Sequence, residues 1–379
     1  MGYSVSDYNS MLSDSVRMDA YVEALRRAVR SDSVVLDLGA GTGIFAILAR
    51  HFGARRVYAI ETNSAIELGK TIARENHFDQ IEFIQALSTS VSLPELATIM
   101  VSDLRGVLPM CESHLHSIID ARKRLLAPDG VMIPQSDTVW VAVAQAAELY
   151  DRKTELPDLG VDLSAARRIA VNTWQKGRVS PEELLVEPRV WVHLDYPTIE
   201  QTDLTGHVEW DVKKDGVARG LSVWFDAEVA EALMFSTGPS APETIYGTAF
   251  FPLERPVLVR AGDSFSATIS ADFVGNDYVW RWETLVIGCG PSREVKAHFK
   301  QSTFYGGTVT QASLRKRADS FVPVITKEGE IDRFILSLID GKTAQGHIAK
   351  QVKEHFPERF SRWQDTLTRV GELTQKYSE

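Results

Sequence analysis

The chain has 379 residues, 44% hydrophobic and 24% charged, an ordinary globular composition with room for two or three domains. A net charge of −10 at pH 7 argues against general nucleic-acid binding, which needs a basic footprint. Only two cysteines occur, Cys111 and Cys289, so neither a disulfide framework nor a cysteine-rich zinc site is expected, and no apolar run is long enough to span a membrane. The N-terminus lacks the basic and apolar regions of a signal peptide, which makes a reducing cytoplasm the expected setting. No His/Cys/Asp cluster has ligand spacing, so no metal is expected.

Residues 6–30 predict one or two helices, because Met11, Leu12, Val16, Met18, Tyr21, Leu25 and Val29 recur at helical spacing. Asp14 and Arg17 lie among them and, on spacing alone, read equally well as surface charges. Strands are expected over 34–38, 56–60, 81–85, 98–102 and 130–133, with helices over 43–51, 64–76 and 111–126. Such alternation predicts a parallel sheet with helices on its faces, and ligands bind such sheets at the carboxyl ends of the strands. Gly39, Glu61, Ser88 and Asp103 each fall just past a strand end. The run Val34 to Leu38 followed by Gly39, Gly41 and Gly43 makes a strand–turn–helix with a G-x-G-x-G turn, which lets a ligand approach backbone at a helix N-terminus. Glu61 ends the next strand, where an acid can bind ribose hydroxyls.

Residues 127–130 predict a turn, and the pattern changes at Pro134. Residues 136–145 and 188–312 carry short alternating runs punctuated by Gly, Pro and Asp, which predict an antiparallel sandwich or barrel. An apolar-periodic helix over 162–175 interrupts them, either an arm for a partner or a helix packed on its own domain. Residues 327–377 predict three short amphipathic helices. Asp103 and Glu112 flank a Gly- and Pro-containing loop. Two carboxylates facing one pocket could take charge-assisted bonds from a planar cation such as guanidinium, though a turn acid and a helix-capping acid would have the same spacing.

The motif from Leu36-Asp37-Leu38 through the three glycines to Glu61 resembles an S-adenosylmethionine methyltransferase. Over roughly residues 8–310 the chain resembles the protein arginine methyltransferase family. Met11-Leu12-Ser13-Asp14-Ser15-Val16-Arg17 resembles its N-terminal helix motif, which implies that Arg17 holds the cofactor carboxylate. Ser102-Asp103 and Glu112-Ser113 match the arms of its double-acid hairpin, and Leu159-Gly160-Val161-Asp162-Leu163-Ser164 the start of its dimerisation arm. The resemblance implies an α/β fold: a Rossmann-like domain over 1–133, then a β-barrel domain over 134–318 with a helical arm near 158–185 that makes a homodimer. A small helical domain over 319–379 follows, whose Leu336 to Thr343 stretch resembles a PqqD-like winged-helix domain, a class that often binds precursor peptides. The implied cofactor is S-adenosyl-L-methionine, bound by Met11, Arg17, Asp37, Gly39, Gly41, Gly43, Glu61, Thr62, Ser88 and Thr89. The implied catalytic pair is Asp103 and Glu112, with Asp14, His114 and Tyr246 in the substrate pocket.

The chain departs from the family at several points. Asp103 stands where the family has Glu, Leu104-Arg105 replaces a Trp-Met pair, and His114 replaces a Met. The family's Thr-His-Trp loop is Thr244-Ile245-Tyr246, so the histidine expected to pair with Asp14 is Ile245. The acid expected near the adenine is Ser88-Thr89. The leading expectation is methyl transfer to an arginine guanidinium in a peptide or small molecule. The alternatives are an N- or O-methyltransferase for another small acceptor, or a degenerate methyltransferase that binds peptides.

Overall fold

The computed structural model describes residues 5–308 and 310–378, so residues 1–4, where the expected first domain begins, lie outside the described residues. The chain divides into two compact units, one up to residue 308 and one beyond it.

The first unit opens with α1 (Val5–Ser13) and α2 (Ser15–Ala28), and Asp14 caps α2 by accepting the Arg17 N–H. A five-stranded sheet follows: β1 (Val34–Leu38), β2 (Arg56–Glu61), β3 (Ile81–Gln85), β4 (Ala97–Ser102) and β5 (Leu126–Ile133). Its order is β3-β2-β1-β4-β5, with every neighbouring pair parallel. All five β1 residues are buried, as a strand covered on both faces requires. Fully burying side chains such as Leu36 and Leu38 contributes roughly 1.5–3 kcal/mol each. Helices α3 (Ile44–His51), α4 (Ile66–Glu75) and α5 (His114–Arg124) connect the strands. The strand order reverses between β1 and β4. This switch point is where two neighbouring connections leave in opposite directions and open a crevice at the strand ends. Gly39 follows β1 and Asp103 follows β4, so the topology alone sets the glycine turn beside the acidic loop.

The expected turn at 127–130 is instead part of β5, but it is looped out of the ladder. Ala97 pairs with Leu126 and Ile99 already with Val131, so the residues between them bulge away from β4.

Beyond Pro134 the fold becomes antiparallel. β6 (Ser136–Ala144) leads through α6 (Ala147–Thr154) and α7 (Ser164–Ala170) to β7 (Gln175–Gly177), β8 (Arg189–Asp195) and β9 (Leu204–Asp211). Then come β10 (Gly216–Ala230), β11 (Leu233–Ser236), β12 (Thr248–Val259), β13 (Ser264–Val274), β14 (Asp277–Ile287) and β15 (Val295–Ser302). One sheet runs β7-β12-β10-β6-β8 with β11 on β10, and the other β15-β14-β13-β9. The edges meet where β8 adjoins β9 and β12 adjoins β15, which closes the two sheets into a barrel-like shell. Trp280 and Trp282, two residues apart on β14, both point inward and pack on Phe251 at ring-centroid distances of 5.2 and 5.3 Å. The helix expected over 162–175 is only Ser164–Ala170, none of it buried. Residues 175–177 leave the helical pattern to pair with β12.

The second unit contains α8 (Gln311–Arg315), α9 (Lys327–Ser337), α10 (Gln345–His355) and α11 (Trp363–Tyr377). The last three share a core of Ile331, Ile335, Ile348, Val352, Val370 and Leu373, the stripes that the helical periodicity predicts, and Phe360 from the segment between α10 and α11 joins it.

Candidate active site

A cavity of about 210 Å³ opens at the switch point, lined by Met11, Arg17, Gly39, Gly41, Glu61, Thr62, Asp103, Glu112 and Tyr246 among others. It adjoins a wider cleft of about 530 Å³, which shares Gly39, Glu61, Thr62 and Glu112 and adds Ser88 and His114. Together they are the size of a site for a small-molecule ligand.

The glycine turn shapes one wall. Gly39 and Gly41 have φ of 72° and 55°, a region that L side chains rarely adopt. A Cβ on Gly41 would stand 2.7 Å from Tyr8, and one on Gly39 would collide with Leu104. The backbone is therefore bare toward the cavity. Opposite it, Glu61 is fixed by the N–H groups of Gly41 (2.8 Å) and Asn63 (2.7 Å). With the Thr62 hydroxyl at 3.2 Å on the same oxygen as Asn63, these use three of its roughly four acceptor sites and leave one on Oε2 for a ligand. Arg17 Nε donates to Asp103, and its Nη1 donates to the Met11 carbonyl at 3.1 Å. Its Nη2 has no hydrogen-bond partner among the described residues, so the side chain is anchored through two nitrogens and has donors to spare.

The two acids of the loop have different surroundings. Asp103 is buried and its oxygens are taken: Arg17 on Oδ2, Arg105 on Oδ1 at 3.2 Å, and the Tyr246 hydroxyl at 2.7 Å. Burial pushes its pKa up, but the guanidiniums of Arg17 and Arg105 and the Tyr246 hydroxyl outweigh that and hold it at about 2. Glu112 is exposed, and its carboxylate makes no hydrogen bond or ion pair among the described residues. Its φ of 42° is a strained conformation for a residue with a Cβ, of a kind that costs roughly 1–3 kcal/mol and gathers at functional sites.

Behind Asp103, Arg105 is completely enclosed. It donates to Asp137 at 2.8 Å and to the Tyr21 hydroxyl, while Tyr196 donates to the other Asp137 oxygen at 2.6 Å. Burial opposes its charge, yet Asp137, Tyr21 and Asp103 raise its pKa further, so it stays a cation.

Several expected site residues lie elsewhere. Asp14 does not line the cavity. It caps α2 and accepts the Ile245 backbone N–H at 2.8 Å, so the main chain supplies the donor that the sequence comparison sought in a histidine side chain. Asp37 sits beneath the turn, where one oxygen accepts the Ala46 N–H at 2.9 Å and the other has no partner. Burial raises its pKa to about 7. Gly43 caps α3, and Thr89 is exposed and outside both cavities. His114 lines only the wider cleft. Its Nδ1–H donates to the Pro109 carbonyl at 2.7 Å, and burial lowers its pKa to about 4, so it is neutral. Tyr8, Phe45 and Cys111 line the cavity without having been singled out, and burial raises the Cys111 thiol to about 11, leaving it a thiol rather than a nucleophilic thiolate.

Comparison with known proteins covers the same region. A family model described as the arginine methyltransferase oligomerization subdomain matches residues 135–281, and one described as ribosomal protein L11 methyltransferase (PrmA) matches 19–151. The chain is 30% identical over 291 residues to protein arginine N-methyltransferase 2 of Homo sapiens, covering 72% of this chain and 66% of that protein. It is 29% identical over 276 residues to protein arginine N-methyltransferase 8-B of Danio rerio, covering 69% and 65%. It thus spans about two thirds of the length of these relatives. Among solved structures, the fold matches the Trypanosoma brucei PRMT1 enzyme–prozyme complex with AdoHcy. The TM-score is 0.71 at 24% identity, over 78% of this chain and 96% of that one. Arabidopsis thaliana protein arginine methyltransferase 10 matches with a TM-score of 0.69 at 23% identity, over 79% and 97%. With the cofactor-type sheet, the barrel and the acidic loop in the family's order, the chain belongs to the protein arginine methyltransferase family.

Proposed function

We propose that the protein transfers a methyl group from S-adenosyl-L-methionine to a guanidinium nitrogen of an arginine, in a peptide or a small molecule. The observation that carries this reading is the unpaired carboxylate of Glu112 on the same cavity as the bare glycine turn. The relatives' names specify arginine N-methyl transfer, and one matching structure is titled as holding AdoHcy.

The residues fit the cofactor. The turn at Gly39 and Gly41 would give it room against backbone, Glu61 would accept from a ribose hydroxyl, and Arg17 would pair with the amino-acid carboxylate. The bound cofactor supplies an electrophilic methyl on a sulfonium. Glu112 accepts from the acceptor guanidinium and aligns one nitrogen with that methyl, so the rate gain comes from position and from charge pairing in a partly enclosed site. Asp103 serves by holding Arg17 and Tyr246 in place. We further assign residues 1–133 to cofactor binding, 134–318 to the acceptor side and 319–379 to a separate helical domain. A cytoplasmic homodimer through the segment near 158–185 goes with this reading, and Leu159 and Val161 there are each 65% exposed.

The test is mass analysis of free arginine and of an arginine-containing peptide after incubation with enzyme and S-adenosyl-L-methionine. A methyl gained on the guanidine supports the reading and tells peptide from small molecule. Transfer to an amine or hydroxyl compound, with no guanidine modified, overturns the arginine assignment but keeps methyl transfer. Failure to bind the cofactor overturns both.

A further inference from the structure

Arg105 has no part in the roles assigned above, yet every nitrogen of its guanidinium is bonded. Its guanidinium is fully buried and bonded on three nitrogens: Nε to Asp103 Oδ1 at 3.2 Å, Nη1 to Asp137 Oδ1 at 2.8 Å, and Nη2 to the Tyr21 hydroxyl. The Tyr21 hydroxyl in turn donates to the Ser102 carbonyl at 3.1 Å, so the chain of bonds is satisfied. Four aromatic rings surround the cation: Phe225 at 5.3 Å, Phe235 at 5.6 Å, Tyr21 at 5.8 Å and Tyr246 at 5.9 Å from their centroids. Carboxylates in the plane and aromatic faces around it are the chemistry that recognises a guanidinium.

The consequence falls on Asp103. A carboxylate offers about four acceptor sites. Arg17, Tyr246 and Arg105 use three, and Arg105 occupies the side away from Arg17. A third planar cation cannot chelate this carboxylate while Arg17 and Arg105 are in place.

We propose that the cage around Arg105 is a guanidinium-binding site that the chain fills with its own side chain, and that Arg105 thereby sets acceptor specificity by leaving Glu112 as the acceptor's only carboxylate. The specificity half of this proposal rests on the arginine reading above, and the cage half does not. The acceptor is then held along one edge, and selection among guanidines falls to the groups around Glu112 rather than to a matched pair of acids.

Arg105→Ala removes a volume equal to ethylguanidine and keeps every acid and ring of the cage. Calorimetry on the full chain with S-adenosylhomocysteine present should show this variant binding ethylguanidine at least about tenfold tighter than wild type, the worth of one regained charge-assisted bond. An equal concentration of propylammonium should not bind. A folded variant with unchanged S-adenosylhomocysteine affinity that binds ethylguanidine no better than wild type overturns the cage. If Arg105→Ala fails to fold, the double variant Arg105→Met, Asp137→Asn removes the cation and its partner charge together. It frees Asp103 Oδ1, so its KM for an arginine peptide should fall about fivefold, and an unchanged or higher KM overturns the proposal. Ethylguanidine binding gained by a protein that methylates no guanidine supports the cage and rejects the arginine acceptor, so the two failures are distinct.

Discussion

The two ends of the loop from Asp103 to Glu112 carry the same functional group in opposite states. Asp103 is enclosed, triply bonded and held near pKa 2 by two guanidiniums, whereas Glu112 is exposed, unpaired and backbone-strained. A carboxylate whose bonding capacity is spent inside the protein stabilises the framework, and one kept free can bind a ligand. Asp37 sharpens the contrast. Its carboxylate takes no bond from a cation, so burial outweighs the pull of Arg17 and raises it to about 7, whereas at Asp103 the two bonded guanidiniums outweigh the same effect of burial. The pairing cation decides what burial does to an acid, and that in turn decides which acid is left for chemistry.

The largest expected effect is at the free end. Glu112→Gln keeps shape but removes the charge that aligns the acceptor, and should lower kcat by roughly 10²–10³-fold with cofactor affinity unchanged. Full-rate turnover in a steady-state assay would erase the distinction between the two acids. At the enclosed end, Asp103→Ala should act on folding first. It strips Arg17 of its charged partner and Arg105 of one of two, and denaturant titration should show a loss of about 3–5 kcal/mol. A stable Asp103→Ala protein that merely fails to turn over would mean that both acids serve the acceptor.

Asp37 gives a pH dependence. The unfolded chain releases this proton near 3.8 and the native chain near 7, so the native state binds more protons in between and stability falls as pH rises through that window. Between pH 5 and pH 8 the wild type should lose on the order of 2 kcal/mol relative to Asp37→Asn, compared by urea titration at both values. Equal slopes would mean that Asp37 is ionised in the native state throughout. The smallest effect is at Tyr246→Phe, which removes one bond to Asp103 and should cost about 1 kcal/mol in a thermal melt while leaving the acceptor KM near normal. A large KM change would place the hydroxyl in contact with the acceptor.

How much was legible in the sequence follows from how far apart the cooperating residues lie. The strand–turn–helix from Val34 to His51 is local, and its glycines mark the positive φ values directly, so the cofactor wall was readable. The strand order set Asp103 and Gly39 side by side, and alternating β and α segments imply that kind of sheet. Arg105 was visible only as a departure, because its partners Tyr21 and Asp137, and Tyr196 bonded behind Asp137, come from a helix, a strand of another sheet and a loop. The Asp14–Ile245 bond was hidden for another reason. A main-chain N–H made it, and every residue but proline carries one. The helix over 162–175 was overread because Trp174 extends the apolar spacing past Ala170, where the helix ends, and the polar residues after it pair with β12.

The central claim is that the enclosed acid serves the framework and the free acid serves the acceptor. A crystal structure with S-adenosylhomocysteine and an arginine-containing peptide tests it most directly. The peptide guanidinium is expected on Glu112, with Arg17 and Arg105 still on Asp103. A peptide guanidinium bridging both acids, with Arg105 displaced from Asp103, would contradict it.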